Sequence, residues 1–381
     1  MTSRCKSPAG AALVRVSLAI FVAAALAGCA GGPHGRRAGP RPADVRAQIV
    51  RLLPASVPDR AGWATDIQAA FAALELEPDA ANLCAVVAVT EQESTFQADP
   101  PVANLPVIAR DEIDRRAARF FVPKLAVSAA LRLPSPDGRS YAERIEQVRT
   151  ERELSEIFES FIGTVPLGER LFGSWNPVRT GGPMQVGIAF AERHAQHEPY
   201  PYPVPVSIRR EVFTRRGGLY FGIAHLLGYP ADYDAPIYRF ADFNAGRWAS
   251  RNAAFQSAVS AASGIPLVLD GDLIPGGRDA KIGSTEHAAR TLGSRIDASD
   301  AAIRSALEQG GGPDLERTQV YQRVFAVAEA LEGRPLPRAR IPEIALAGPK
   351  ITRKLTTRWF AERVDERHRR CLARSRAAAT N

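Results

Sequence analysis

Apolar residues recur every three or four positions over most of the chain, and this periodicity constrains the fold more than any other feature of the sequence. Such spacing is typical of helices that bury one face. The clearest stretches are 63–74, 141–148, 154–161 and 320–331. Alternation typical of strands is scarce, and Ile265–Leu269 is the best candidate for a strand. The sequence therefore predicts a mainly α fold.

The charge of the chain is unevenly distributed. The formal net charge is +8, but three basic residues and no acid lie in 1–28, and nine basic against three acidic residues lie from Ile351 onward. The residues between them are nearly neutral, so no basic face of the kind that binds nucleic acid is predicted. We expect the basic tail to be a solvated helix end, or a weak contact for anionic lipid or peptidoglycan carboxylates.

The first 28 residues have the pattern of a secretory signal. Basic residues precede an apolar run, Val16–Gly28, that is too short to span a bilayer as a helix. The run ends in Leu-Ala-Gly-Cys29, which resembles the lipobox of bacterial lipoproteins. This resemblance implies that Cys29 is acylated and that residues 29–43 form a tether. With Ala30 next in sequence, it implies an outer-membrane lipoprotein that faces the periplasm, and an ordinary cleavable signal is the alternative.

Two cysteines, Cys84 and Cys371, remain if Cys5 leaves with the signal and Cys29 carries lipid. In an oxidising compartment a pair of cysteines suggests a disulfide, which here would hold the C-terminal tail against the core. Two free thiols are an equally open alternative.

The residues that suggest chemistry lie in three separated motifs. Glu93 follows Val86 and Val89 at helical spacing, so a helix over 82–94 would place its carboxyl beside apolar side chains. Desolvation and the nearby helix C-terminus would both raise the pKa of this carboxyl, as a general acid at neutral pH requires. A solvated helix-end residue is the alternative. The other motifs are Gly-Gly-Pro-Met-Gln-Val at 181–186, and Gly-Gly-Leu-Tyr-Phe at 217–221 with Ala-Asp-Phe-Asn-Ala-Gly at 241–246.

In this order the motifs resemble those of lytic transglycosylases of the soluble-lytic-transglycosylase type, which have a goose-lysozyme-like fold. The resemblance covers roughly 80–247 and implies cleavage of the β-1,4 bond between N-acetylmuramic acid and N-acetylglucosamine, with a 1,6-anhydromuramoyl product. It implies that Glu93 is the single acid/base and that peptidoglycan glycan strands are the partner, without cofactor or metal. The implied substrate-binding residues are Ser94, Met184, Gln185, Tyr220 and Asn244. The whole chain also resembles a group of bacterial lipoproteins of unassigned function.

From this resemblance we expect a lysozyme-like helical domain over residues 44–260. A long helical insert would occupy about 97–175, and a helical C-terminal extension with the basic tail would occupy 261–381. Long insertions near a site commonly act as lids or as docking surfaces, so the insert is a candidate site for a protein partner. A surface embellishment without function is the alternative.

Two departures from the family pattern leave other functions open. Phe243 stands where the family usually has Tyr, and Pro183 replaces a Leu. A catalytically inactive peptidoglycan-binding scaffold and a muramidase that hydrolyses with water are therefore alternatives. Six of the eight tyrosines lie between residues 200 and 238, a pattern typical either of a sugar-binding cleft or of a Tyr-rich core layer.

Overall fold

Helices form nearly all of the regular structure in the computed structural model, which describes residues 40–164, 167, 170, 172–276, 281–346 and 353–379. The prediction of a mainly α fold is confirmed. The signal segment and Cys29 lie outside the described residues. Within the described ranges, no helix has both the length and the hydropathy needed to cross a bilayer.

The elements are numbered in chain order. The N-terminal helices are α1 (Pro42–Leu52), α2 (Arg60–Ala73) and α3 (Ala80–Ser94), followed by α4 (Leu105–Arg119), α5 (Lys124–Leu131), α6 (Tyr141–Gln147) and α7 (Glu151–Gly163). A 3₁₀ turn at Gly173–Trp175 leads to β1 (Thr180–Gly181), β2 (Val186–Gly187), α8 (Ile188–His197), α9 (Ile208–Val212), α10 (Arg215–Leu227) and α11 (Pro236–Ala245). The C-terminal elements are α12 (Ala249–Ser263), α13 (Ser284–Thr291), α14 (Asp300–Leu307), 3₁₀ turns at Glu308–Gly311 and Pro313–Arg317, α15 (Gln319–Glu332), β3 (Ala345–Leu346), β4 (Leu355–Thr356) and α16 (Thr357–Ala379).

Capping residues fix where several of these helices begin and end. Asp59 accepts a hydrogen bond from the Gly62 amide at the start of α2, as its position before the apolar stripe predicts. Both α6 and α7 begin with a capping box. In this motif a Ser or Thr side chain accepts a hydrogen bond from the backbone amide of a Glu three residues later, and the Glu side chain accepts one from the backbone amide of the Ser or Thr. Gly333 takes a left-handed conformation and ends α15, a common role of glycine at a helix C-terminus.

The prediction of a strand at Ile265–Leu269 is wrong. These residues have no regular secondary structure. They belong to neither of the two short antiparallel hairpins found in the described ranges, which pair β1 with β2 and β3 with β4. The backbone carbonyl of Leu269 accepts one hydrogen bond, 2.7 Å from the Glu343 amide nitrogen. Alternation can favour an extended backbone, but a strand also needs a neighbouring strand to complete its ladder.

The first core surrounds α3. Residues Leu83–Thr90 of this helix are all buried, and α3 packs against both α10 and α16. Helix α16 also packs along α11 in the antiparallel sense, because Asn244, Phe243 and Phe240 contact Thr357, Phe360 and His368 respectively. The final helix therefore covers two elements that carry predicted site residues.

The basic C-terminal helix is not a solvated tail, contrary to expectation. His368 is buried and its Nε2 lies 3.1 Å from the Ala81 carbonyl oxygen, while Arg374 donates a hydrogen bond to the Leu52 carbonyl. Arg367 and Arg370 lie 3.6 and 3.8 Å from the Glu91 carboxylate. A charge run in the sequence carries no information about which neighbours accept its hydrogen bonds, and here the acceptors lie on α1 and α3.

A second core is built from α12 to α15. Its apolar cluster extends from Ala254 to Ala328 and includes Phe255, Tyr321 and Phe325, whose rings pack against one another. Helix α12 contains residue 260, the end of the predicted lysozyme-like domain, and its residues contribute to this cluster. The predicted insert forms α4 to α7, which pack mainly among themselves.

Candidate active site

Glu93 lies in the last turn of α3 and is half-buried. Val86 and Val89, on the same side of the helix, are completely buried, so the carboxylate stands at the end of an apolar stripe. Ser94 is buried and donates its hydroxyl hydrogen to the Thr90 carbonyl oxygen at 3.1 Å. This bond directs the hydroxyl of Ser94, an implied substrate-binding residue, back along the helix.

The backbone is strained two residues after Glu93, where α3 ends. Thr95 and Phe96 both adopt the left-handed conformation, with φ angles of 51° and 58°. This region is unfavourable for a β-branched residue such as Thr and costs on the order of 1–3 kcal/mol per residue. Phe96 is held there by packing edge-on against Trp63, with ring centroids 5.3 Å apart. Strained backbone persists only where the surrounding structure maintains it, and in proteins it is concentrated at functional sites.

The 181–186 motif forms the turn between β1 and β2 and packs against α10. Gly182 has a φ of 71°, and a Cβ atom there would collide with the Val212 carbonyl oxygen. Met184 is 0% exposed, and its side chain lies against Gly222 of α10. The backbone of Gln185 is left-handed, with a φ of 48°. Its side-chain Oε1 accepts a hydrogen bond from Thr180 Oγ1, and its Nε2 donates one to the Gly182 carbonyl oxygen, both at 3.3 Å.

Two predicted substrate contacts are internal in this structure. Met184 has no exposed surface, and Tyr220 is 1% exposed and donates its hydroxyl to the Pro199 carbonyl oxygen at 3.2 Å. The sequence motifs could not distinguish a side chain that is exposed to a ligand from one that is buried against the rest of the fold. Met184 packs the 181–186 turn against α10, and Tyr220 connects α10 to the backbone at Pro199.

The tyrosine cluster is correspondingly more structural than expected. Tyr200 donates its hydroxyl to Glu211 Oε2 at 2.8 Å, and Tyr229 and Tyr233 donate theirs to Asp242 Oδ2 at 3.0 and 2.6 Å. Burial raises the pKa of all three phenols, so they remain neutral hydrogen-bond donors. The alternative of a Tyr-rich core layer describes these residues better than a sugar-binding cleft.

Asn244 is exposed at the C-terminal end of α11. Its Oδ1 accepts a hydrogen bond of 2.8 Å from Thr357 Oγ1 at the start of α16. Phe243 is buried, with its ring 5.2 Å from the His225 ring and 6.5 Å from that of Phe360. An aromatic ring without a hydroxyl suits this apolar position.

Three residues that the sequence analysis did not single out hold the motif at 241–246 in place. Asp242 is buried and accepts four hydrogen bonds, two of them from the amides of Trp248 and Ser250. The Nε2 of His225 lies 3.3 Å from the Phe243 carbonyl oxygen. Arg247 donates to the carbonyl oxygens of Ala224 and His225 at the end of α10. The presence of Asp242 inside the motif was the only signal available, since the partners of all three lie on other helices or loops and share no sequence motif with them.

These contacts connect four elements that carry the predicted site residues. The 181–186 turn contacts α10 through Met184, α10 contacts α11 through His225, and α16 bridges α11 and α3. The disulfide Cys84–Cys371 joins α3 covalently to α16, with Cα atoms 5.5 Å apart. Glu93 does not line the cavity beside Arg149, the apolar cavity beside Trp175 or the cavity beside Gly271. No cluster of three metal-ligating side chains occurs among the described residues.

The model of a family described as protein of unknown function (DUF1615) matches residues 56–374. The chain belongs to this family. A relative from Escherichia coli strain K12, with the name uncharacterized protein YaiW, is 52% identical over 358 residues, which cover 93% of this chain and 97% of that protein. No solved structure matches the chain. All of the predicted site residues from Glu93 to Asn244 lie within the range that the DUF1615 model matches.

Proposed function

We propose that this DUF1615 protein is a peptidoglycan lytic transglycosylase with a lysozyme-like domain and that Glu93 is its catalytic acid/base. The observation that carries the proposal is the position of Glu93: half-buried near the end of a buried apolar helix and two residues before the strained pair Thr95 and Phe96. A partly desolvated carboxyl is suited to carry a proton near neutral pH. The strain at Thr95 and Phe96 supports a functional reason for this geometry.

The proposed reaction has two proton transfers on one carboxyl group. Glu93 protonates the glycosidic oxygen as the bond to C1 of the muramoyl residue breaks and positive charge develops there. The carboxylate then takes the proton from the C6 hydroxyl of the same sugar, whose oxygen bonds C1 and closes the anhydro ring. Glu93 ends protonated, so the cycle is complete without water or a second carboxylate.

In this proposal the exposed and half-buried polar side chains bind the glycan, and the buried side chains keep those polar residues in position. Gln185 and Asn244 offer amide groups of the kind that recognise acetamido and hydroxyl groups of a sugar. Met184 and Tyr220 act as positioning residues. Met184 packs the turn that presents Gln185 against α10, and Tyr220 connects α10 to the Pro199 carbonyl oxygen. The left-handed backbone of Gln185 supports a functional orientation, because Gln adopts this conformation rarely.

The test is digestion of purified murein sacculi by the full-length protein, followed by mass spectrometry of the released muropeptides. We expect anhydro ends, each lighter by one water than a hydrolysed end. The Glu93→Gln variant should lower release by about 10²–10⁴-fold, the usual contribution of a general acid or base. Glu91→Gln is the matched control, because Glu91 lies on the same helix and its carboxylate forms ion pairs with Arg367 and Arg370 of α16. Normal release by the Glu93 variant would refute the assignment.

A catalytically inactive glycan-binding scaffold is the second candidate. The observation in its favour is that Tyr220 and Met184 are buried and that Phe243 lacks a hydroxyl. In the same digestion a scaffold would sediment with sacculi and release nothing, whereas a muramidase would release hydrolysed ends. The three functions therefore give three different results.

We also propose that the mature protein is an outer-membrane lipoprotein acylated at Cys29. The lipobox-like sequence before Cys29 and the basic residues before the apolar run support this location. Metabolic labelling with palmitate should label the wild type and leave Cys29→Ala unlabelled. Equal labelling of the two proteins would contradict it.

A further inference from the structure

The turn that joins α4 to α5 exposes apolar side chains to an unusual degree. We define this α4–α5 corner as residues 119–125, with the sequence Arg-Phe-Phe-Val-Pro-Lys-Leu. Phe121 is 95% exposed and Leu125 is 82% exposed, and Phe120 and Val122 are exposed as well. A cluster of large apolar side chains on the surface typically marks an interaction site.

The backbone of the corner directs Phe121 into solvent and adopts an unfavourable conformation to do so. The amides of Phe121 and Val122 bond the carbonyl oxygens of Ala118 and Ala117, the pattern of a Schellman motif at the end of α4. The left-handed position of this motif usually belongs to glycine, but here Phe121 occupies it with a φ of 59°. Within the part of the chain that the structure describes, neither burial nor backbone preference explains a Phe at this position, and this favours a contact with a partner.

The charge around the corner has one sign. The segment from Arg115 to Pro136 contains five basic residues and no acid. Arg115 and Arg116 pair with Glu112, whereas neither Arg119 nor Lys124 forms an ion pair with another residue of the described chain. Both are exposed beside Phe121. Exposed aromatic and aliphatic side chains between basic ones are the chemistry of a surface that enters the interface of an anionic bilayer.

An apolar cavity continues inward from the corner. It has a volume of about 450 Å³, and Phe120 and Val122 line it from the corner side. Phe120 stacks on Trp175 with ring centroids 4.4 Å apart, which forms an aromatic wall. Apart from Glu112 and Arg116, its lining is almost entirely apolar. The apolar surface of the corner therefore extends into the insert, with space suited to a hydrocarbon chain.

We propose that the α4–α5 corner inserts into the surface of an anionic lipid bilayer. Phe121 and Leu125 enter the boundary between headgroups and acyl chains, and Arg119 and Lys124 bind the lipid phosphates. The positive charge favours a lipid surface over a second copy of this corner, because two such surfaces would repel each other. This inference is independent of the proposed glycan cleavage and does not involve Glu93.

The test places a tryptophan at the corner of the full-length protein. Phe121→Trp and the control Val268→Trp are each reconstituted into phosphatidylethanolamine vesicles with phosphatidylglycerol, with and without bromine on the acyl chains. Val268 is also an exposed apolar residue, at 65%, but acidic residues, Asp270 and Asp272, follow it closely. Fluorescence is compared with that of the wild type, which has four tryptophans. A lipid anchor acts equally on both variants, so a difference between them reports the corner itself.

We expect brominated lipid to quench the added fluorescence of Phe121→Trp at least twofold more strongly than that of Val268→Trp. The difference should weaken in phosphatidylcholine vesicles. Adding Lys124→Ala to Phe121→Trp should weaken association of the corner by about fivefold, the usual effect of one basic residue at an anionic surface. Equal quenching of the two variants would overturn the proposal. A blue-shifted emission of Phe121→Trp without quenching would also overturn it, since it would indicate a protein contact.

Discussion

Asp242 illustrates at the residue scale how a buried carboxylate can hold several segments of the chain together. It accepts hydrogen bonds from two tyrosine hydroxyls and two backbone amides, and together these replace the water that burial removed. Burial raises its pKa, and the hydrogen bonds act in the opposite direction. The result is a fixed connection between α11, which carries Asn244, and the start of α12.

We predict that Asp242→Asn lowers the free energy of unfolding by about 2–3 kcal/mol. An amide group has only one acceptor oxygen, so at least one of the four donors would face an NH₂ group and lose its bond. Asp232→Asn makes the same chemical change at an exposed position of the preceding loop and should have little effect. Urea unfolding of both variants measures the difference, and equal stabilities would contradict the role given to Asp242.

Local residue patterns predicted some site residues and not others. The positions of Val86 and Val89 predicted that Glu93 ends an apolar stripe, and the structure has it there, half-buried. The burial of Met184 and Tyr220 could not be read from their motifs. It depends on Gly222 and Pro199, whose approach to them is a product of tertiary packing.

At the scale of elements, the contact between the β1–β2 turn and α10 depends on two glycines one turn apart. A Cβ atom at Gly218 would lie 2.4 Å from Pro183 Cδ, and one at Gly222 would lie 2.5 Å from Met184 Sδ and 2.6 Å from Met184 Cβ. Glycine is normally unfavourable inside a helix. Its presence here allows the turn that carries Gln185 to approach the helix backbone.

We predict that Gly222→Ala lowers the free energy of unfolding by about 1–2 kcal/mol, although alanine is the better helix former by about 1 kcal/mol. The methyl group would displace the Cβ of Met184 and with it the turn, so glycan binding should weaken too. Gly163→Ala is the control, since a methyl group there would meet no described atom within 4 Å. Thermal unfolding and sacculus co-sedimentation test both variants. An unchanged or higher stability of Gly222→Ala would show that the turn can move at little cost.

At the scale of the whole molecule, the disulfide connects residues 287 positions apart in the chain. It attaches α16 to α3 and closes nearly the whole described chain into a loop. The free energy of closing a loop increases with its length, so a long loop restricts the unfolded chain most strongly.

We predict that replacing both Cys84 and Cys371 by serine lowers the free energy of unfolding by about 2–5 kcal/mol. Dithiothreitol should have the same effect on the wild type and no effect on the double variant. Guanidinium unfolding with and without reductant measures both. If reductant destabilises the double variant equally, its effect does not come from this disulfide.

Buried histidines make the stability of the molecule depend on pH. Burial and the nearby Arg247 lower the pKa of His225 to about 4, and burial also lowers the pKa of His194 and His368. Between pH 6.5 and 4 the unfolded chain binds protons at His225 that the folded chain does not, so this contribution to stability is lost as the pH falls.

For His225 alone we predict a loss of about 3 kcal/mol between pH 7 and pH 4. His225→Gln has no group that titrates in this range, so its stability should fall less steeply than that of the wild type. The difference between the two pH profiles of stability gives the contribution of His225 alone. Asp242 has a raised pKa and contributes to the pH dependence of stability with the opposite sign, but it does so in both proteins. Parallel profiles in chemical denaturation would contradict the assignment.

The sequence by itself determined the helical character of the chain and several helix boundaries. Periodicity and capping depend on neighbours within a few residues, and such information is local. Only the tertiary structure decided that α16 covers α3 and α11, that the tyrosine hydroxyls are used internally, and that Ile265–Leu269 has no strand partner. Those outcomes depend on contacts between residues far apart in sequence. Many arrangements satisfy the same local pattern, and packing and hydrogen-bond satisfaction select one of them.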